Sequence, residues 1–459
     1  MNVNPSPAPY RADPKITSLG DKIGDPVHPA QFPKAILRYR NDRWAATVGL
    51  DGLSDAAWIA HFGRFEPLPD NLPQPLALRY HGHQFRVYNP DIGDGRGFLF
   101  AQVRDHEGRL LDLGTKGSGT TPYSRDGDGR LTLKGAVREI LATEMLEALG
   151  VETSKTFSVI ETGEALWRND EPSPTRSAVL VRLNHSHIRI GTFQRIAFED
   201  DAARMEALVE YVLRNLYGVE PDGNPAAQLL RLAVPRIAEQ AAGFMVAGFV
   251  HGVLNSDNIN ITGESFDYGP WRFNPTWNAG FTAAYFDQSG LYAFGRQPEA
   301  MHWNLAQLAI SLRLICEAPP LVEALEGYPA LFQSALIRRF LWRLGVDSRG
   351  TEEDRALVEA AERAMIDAEI PIADFFHHHR NGLPPAGRYS GEKHAAFADL
   401  VAPYARRPIA AYWTRHEPCS MLIDEVEAIW SSIAETDDWA PLHARIAAIR
   451  ALGRALRDD

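Results

Sequence analysis

The apolar residues of this chain change their spacing near Leu183, and no other feature of the sequence narrows the choice of fold so far. Before that point, from Gly93 onward, the signals are mainly short apolar runs and turns. Phe98–Arg104 and Arg109–Leu113 are two such runs, joined by His106-Glu107-Gly108 as in a hairpin. Thr156–Ile160 and Ser177–Leu183 read as two more strands. Between the pairs a helix is expected over Lys134–Leu149, with Val137, Ile140, Leu141, Met145 and Leu149 as its apolar stripe and Gly150 ending it. After Leu183 the spacing is helical in Ala202–Leu216, Ala226–Val250, Trp303–Glu317, Leu321–Leu344 and Glu352–Ala368, and again near Met421–Ile433 and Leu442–Leu456.

Strands followed by helices imply an α+β fold with a cleft between two lobes, a common place for a ligand. The expected division is an N-terminal extension wrapping the core (1–75), a β-rich lobe (76–190), a larger helical lobe (191–400) and a C-terminal helical extension (401–459). The extension is Pro-rich, with one helix-like run near Ser54–Phe62. A formal charge of −12 argues against a general nucleic-acid binder, which needs a basic face. The longest apolar region, Leu229–Leu254, is broken by Arg231, Arg236 and Glu239, so no membrane span is expected. Two cysteines, Cys316 and Cys419, and a start without a secretion signal fit a reducing cytoplasm, although one bridge remains open to them.

The chemistry is concentrated in His251-Gly-Val-Leu-Asn-Ser-Asp257-Asn258 and in Asp267-Tyr-Gly-Pro, ten positions after Asp257. Phosphoryl-type transfer asks a protein for positioning and charge neutralisation. One carboxylate, Asp257, can orient or deprotonate a hydroxyl, while Asn258 and Asp267 can hold a hard divalent metal against phosphates. Upstream, Lys116 ends a strand and Glu139 lies off the apolar stripe of the following helix. That order of strand lysine, helix glutamate, Asp-Asn and Asp-Tyr-Gly is protein-kinase-like. Taken singly, each piece is a turn or a surface charge. Arg182 and Arg189 could clamp a phosphate or be ordinary paired arginines. Gly93–Gly97 and Asp126–Arg130 let backbone approach phosphates or simply turn hairpins. No Walker pattern, nucleophile elbow, zinc motif or dinucleotide fingerprint occurs. His377-His378-His379, without partner ligands, reads as a polar loop rather than a metal site.

On these stretches the sequence resembles the selenoprotein O family of protein adenylyltransferases, which have a pseudokinase-like fold. The matching pieces are Tyr80–Phe85, Gly93–Arg96, Thr115–Ser124, Gly127–Arg130, His251–Asn258, Asp267–Pro270 and Tyr292–Gly295. The resemblance implies a protein-kinase-like bilobal fold that binds ATP in an inverted orientation and transfers AMP to Ser, Thr or Tyr hydroxyls of protein substrates. It implies Asp257 as base, with Asn258 and Asp267 as ligands of Mg2+ or Mn2+. It further implies that Lys116, steadied by Glu139, contacts phosphates, that Arg96, Arg182 and Arg189 hold the reversed phosphate tail, and that Gly93, Gly95, Asp128 and Gly129 complete the pocket. The same residues also suit γ-phosphate transfer or a nucleotide-binding scaffold. The run Trp271–Asn278 departs from the family's usual segment after Asp267 and has no cysteine, and the region beyond Tyr404 is atypical.

Overall fold

The computed structural model describes residues 7–169, 171–382, 387–406, 410–415 and 417–458. The strands are β1 (Gly24–Pro26), β2 (Ile36–Arg40), β3 (Leu76–Leu78), β4 (Gly82–Gln84), β5 (Val87–Asn89), β6 (Leu99–Arg104), β7 (Leu110–Lys116), β8 (Leu131–Thr132), β9 (Lys155–Leu166), β10 (Thr175–Asn184), β11 (Phe249–Val250) and β12 (Arg272–Phe273). Eight of them form one antiparallel sheet in the order β1-β3-β6-β7-β10-β9-β2, with β8 also on β10. The two hairpins expected from the sequence are present as β6–β7 and β9–β10, and Gly108 turns the first at φ +80°. The first 75 residues supply both edge strands of this path, β1 and β2.

Strand alternation decides which side chains meet the central helix. On β10, Ala178 and Leu180 face the helix Leu133–Ala148, whereas Val179, Val181 and Leu183 pack with Trp58 and Phe62 of the helix Asp55–Gly63 on the other face. Leu180 lies opposite Lys116 in the β7–β10 ladder. By parity, Lys116 and Arg182 therefore stand on the face covered by Leu133–Ala148. Thr132 caps that helix by accepting the Gly135 N–H, and its buried stripe includes Val137, Ile140 and Leu141, as the periodicity requires.

The later chain is helical: Ile190–Phe198, Ala202–Tyr211, Pro225–Ala247, Gln297–Leu312, Ala318–Glu326, Tyr328–Leu344, Thr351–Asp367, Ile372–His378, Glu392–Val401, Tyr412–Arg415, Ile423–Thr436 and Ala440–Asp458. The periodic run Leu321–Leu344 is two helices, broken at Gly327 with Pro329 in the first turn of the second. The helix Gln297–Leu312 begins six residues before Trp303, with a proline in its first turn. The triple histidine is not a polar loop. Its first two residues close the helix Ile372–His378, His377 and His379 are buried, and the Nε2 atoms of His379 and His394 lie 2.9 Å apart. No described helix is long and apolar enough to cross a membrane. Cys316 and Cys419 are free thiols.

Two features of this architecture position the site. Pro225–Ala247 ends at Gly248, φ +70°, and the chain passes into β11, which pairs with β12. The intervening residues 251–271, carrying Asp257 and Asp267, are thus a loop clamped at its base. Meanwhile Ala440–Asp458 and Ile423–Thr436 brace the helix Leu133–Ala148 from outside. Arg450 donates to both oxygens of the buried Glu144 at 2.8 and 2.5 Å, and Lys134 pairs with Glu427 at 2.7 Å. Gly453 is so close that a Cβ there would lie 3.1 Å from the Ala148 Cα.

Removing the guanidinium with Arg450→Met should lower stability in urea unfolding by about 2–3 kcal/mol, less than a fully buried broken pair because Arg450 is 31% exposed. A loss under about 0.5 kcal/mol would mean that the pair behaves as an exposed one.

Candidate active site

Lys116, the last residue of β7, donates to Glu139 Oε2 at 2.8 Å from a buried position. Glu139 is buried because it sits on the inner half of its helix, and its other oxygen lies 3.7 Å from Arg182 Nη1. Arg182 in turn donates to Asp267 Oδ1 at 2.6 Å. Arg189, just before the helix Ile190–Phe198, completes the group. Its Nη1 donates both to the Asp257 carbonyl at 2.9 Å and to Asp267 Oδ2 at 3.1 Å, and its Nη2 reaches Asp94 at 3.4 Å. The guanidinium is sandwiched by Tyr80 and Phe266, at 4.1 and 4.8 Å from the ring centres.

Electrostatics follow from this packing. Burial alone would raise the Asp267 carboxyl, but Arg182, Arg189 and Lys116 overcome it and hold the group well below the usual carboxylate range. Asp267 adopts φ +61°, a left-handed conformation that Asp tolerates better than most residues. Burial depresses the Lys116 ammonium, which Glu139 opposes and Arg96 reinforces. Asp257 behaves differently. Burial pushes its carboxyl up to about 6, with Arg189 only partly offsetting the effect. Burial lowers the His251 imidazole below its ordinary value, and its Nε2 lies 3.0 Å from the Phe266 carbonyl, tying the start of the loop to the residue before Asp267.

Six of the residues expected from sequence therefore form one connected cluster: Lys116, Glu139, Arg182, Arg189, Asp257 and Asp267. Asn258 follows directly, its Nδ2 donating to the Val253 carbonyl at 2.9 Å. Arg96 is exposed and forms no ion pair among the described residues. Gly93 and Gly95 both pack on Tyr123, where a Cβ would come within 2.5 Å of its ring and 2.9 Å of its carbonyl respectively. Asp128 is outside the cluster and pairs with Arg168 at 2.8 Å, while Gly129, φ +68°, presses on Gly119.

Sequence reasoning gave no role to Asp94, Tyr80 or Gln84, which touch the cluster directly. Gln84 lies close enough to the Asp257 carboxyl to oppose part of the effect of burial on it, and a Cβ on Gly82 would lie 2.9 Å from Asp257 Oδ1. The His83 N–H donates to Ser256 Oγ at 2.7 Å and the Phe85 N–H to Asn255 Oδ1 at 2.9 Å. The β4 segment is thus laced to the Asp257 loop, and its only signal in the sequence was the quoted stretch Tyr80–Phe85.

The oxygens here suit a hard divalent cation. No hydrogen bond among the described residues takes the Asn258 Oδ1, Asp257 Oδ1 is buried without a partner, and Asp267 has lone pairs beyond those its arginines use. Around them Arg182 Nε, Arg189 Nε and Glu139 Oε1 are also buried without hydrogen-bond partners. Buried cations beside carboxylates of this kind can bind a polyphosphate.

Residues 9–395 match the family described as protein adenylyltransferase SelO, and the chain belongs to that family. Among its relatives is the protein nucleotidyltransferase YdiU of Synechocystis sp., 42% identical over 94% of this chain and 96% of that protein. The YdiU proteins of Synechococcus elongatus and Gloeobacter violaceus are also 42% identical, each covering 95% of this chain and 94% of the relative.

The raised Asp257 has a signed consequence. Its folded pKa of about 6 exceeds the ordinary 3.8, so its stabilising contribution is complete below the unfolded value and is lost as pH rises through 6. Asp257→Asn should therefore gain stability relative to the parent at pH 8 compared with pH 5, measured by urea unfolding at both values. An equal difference at the two pH values would contradict the raised pKa.

Proposed function

We propose that this protein transfers the adenylyl group of ATP to Ser, Thr or Tyr hydroxyls of other proteins, on a kinase-like frame whose strand-rich part (76–190) and helical part (191–400) enclose the nucleotide. The observation that carries this reading is the single guanidinium of Arg189, which joins the Asp257 backbone to the Asp267 carboxylate beside the buried Lys116–Glu139 pair. Family membership and the relatives' name as nucleotidyltransferases support the adenylyl over the phosphoryl group.

In this reading Asp257 takes the proton of the attacking hydroxyl as its oxygen bonds to the α-phosphorus. The bond to the bridging oxygen breaks and pyrophosphate leaves. A carboxyl pushed up to about 6 is a stronger base than an ordinary aspartate, yet still mostly ionised at neutral pH. Lys116, held by Glu139, contacts phosphate oxygens, and Arg182 and Arg189 offer their remaining donors to the tail, with Arg96 at the rim. Gly93, Gly95, Asp128 and Gly129 shape the outer pocket. Mg2+ or Mn2+ held by Asn258 and Asp267 would neutralise phosphate charge. The free thiols Cys316 and Cys419 support a cytoplasmic setting.

Incubation of the purified protein and candidate substrates with ATP and Mg2+ or Mn2+, followed by intact-mass measurement, should show an adenylyl increment. A phosphoryl increment would overturn the proposal, and bound ATP without any increment would indicate a scaffold. Asp257→Asn should lower kcat by roughly 10²–10⁴-fold. The acid limb of kcat/KM should have a midpoint near 6 that disappears in this variant.

A further inference from the structure

A cavity of about 840 Å3 lies at the opposite end of β7 from Lys116. Its wall includes Leu111, near the start of β7, so it is roughly 16 Å along the strand from that lysine. None of the clustered residues of the candidate active site lines it. The wall is largely apolar, with Leu111, Val151, Leu341 and Trp342, and the volume falls in the range of small-molecule sites.

The charges of the wall decide what the cavity accepts. Arg109 is paired with Asp105 at 2.8 Å, and Arg338 and Arg339 are both paired with Glu239. Lys155 lies 3.9 Å from Glu147, with its ammonium over the Trp44 ring. Three carboxylates on the wall, Glu152, Glu264 and Asp354, have no ion pair among the described residues, and Asp354 is already satisfied by the Ser348 and Tyr404 hydroxyls and the Arg349 N–H. The Glu264 Oε2 accepts the His185 N–H at 2.6 Å, and among the described residues no cation comes within ion-pair distance of either oxygen. Burial, with Glu152 adding to it, pushes the Glu264 carboxyl up to about 7, while Lys155 and Arg109 lower it from farther off. A carboxylate set deep beside apolar wall gains most from a cation brought in by a ligand.

We propose that this cavity is a second binding site that takes a small organic cation, an amine on a flat apolar body, with the amine against Glu264 and the body against Trp342. Arg109, Arg338 and Arg339 are already held by Asp105 and Glu239, which leaves them little to offer an anion, and the aromatic wall favours a planar apolar group.

The test is calorimetry on the full chain at pH 8, without ATP, using tryptamine, its neutral analogue tryptophol and its anionic analogue indole-3-propionate. Tryptamine should bind at least tenfold more tightly than tryptophol, and the propionate should not bind. Glu264→Gln should remove the advantage of the amine, and Ile337→Trp, which fills the cavity, should abolish binding of tryptamine; thermal melts confirm that each variant is folded. Tighter binding of the propionate, equal binding of amine and alcohol, no binding of tryptamine at millimolar concentration, or tryptamine binding unchanged in both variants would each overturn the proposal. The measurement involves no group transfer, so it stands or falls apart from the adenylyl reaction.

Discussion

The Asp267 carboxylate, partly buried between Arg182, Arg189 and Lys116, is the interaction on which the rest of the site depends. Arg182, Arg189 and Lys116 offset what burial costs the carboxylate, and it offsets part of what burial costs them, alongside Glu139 and Asp94. Because Lys116 belongs to β7, Arg182 to β10 and Asp267 to the loop between β11 and β12, charge compensation fixes the loop against the sheet. Sheet parity then supplies the geometry: the same alternation that buries Leu180 under the central helix turns Arg182 and Lys116 towards Glu139.

Two carboxylates ten positions apart are tuned in opposite directions by this arrangement. Asp267 has both oxygens on guanidinium groups and is held ionised. Asp257 is approached by the Arg189 guanidinium only at its backbone carbonyl, and its side chain, against Gly82 and Gln84, is left to the effect of burial. Neighbouring acidic groups pushed apart in this way divide tasks, one carrying fixed charge and the other exchanging a proton.

Much of this was legible before any coordinates. The stripe Val137, Ile140, Leu141 and the hairpins required only local spacing, and the helix and strands lie where that spacing puts them. The helix Ile190–Phe198 is missing from the sequence reading although Ile190, Phe193 and Ile196 are spaced on one buried face; it is only nine residues long and follows directly on a strand-rich stretch. β1, with the sequence Gly-Asp-Pro, has no strand propensity at all and exists because β3 offers it an edge. Gly327 breaks a run whose apolar period continues across it, so the sequence read one helix where there are two. At the site, the polar residues in the recognisable motifs were found, but Asp94, Tyr80 and Gln84 were not assigned roles. Their contacts to Arg189 and Asp257 cross about 95 to 173 positions and leave no local pattern.

The brace between Arg450 and Glu144 also has a bearing on the order of assembly. These residues are 306 positions apart, and the Lys116–Glu139 pair sits on the helix they secure. Loop closure over such a span is slow and is rewarded only when both ends are already shaped. A nascent chain with the sheet and the Asp257 loop complete would still lack the outer support of the Glu139 helix. The outer support of the Glu139 helix thus hangs on a contact that spans most of the chain, and fragments that end before Ala440 would leave Glu144 with the Tyr39 hydroxyl in place of its Arg450 partner.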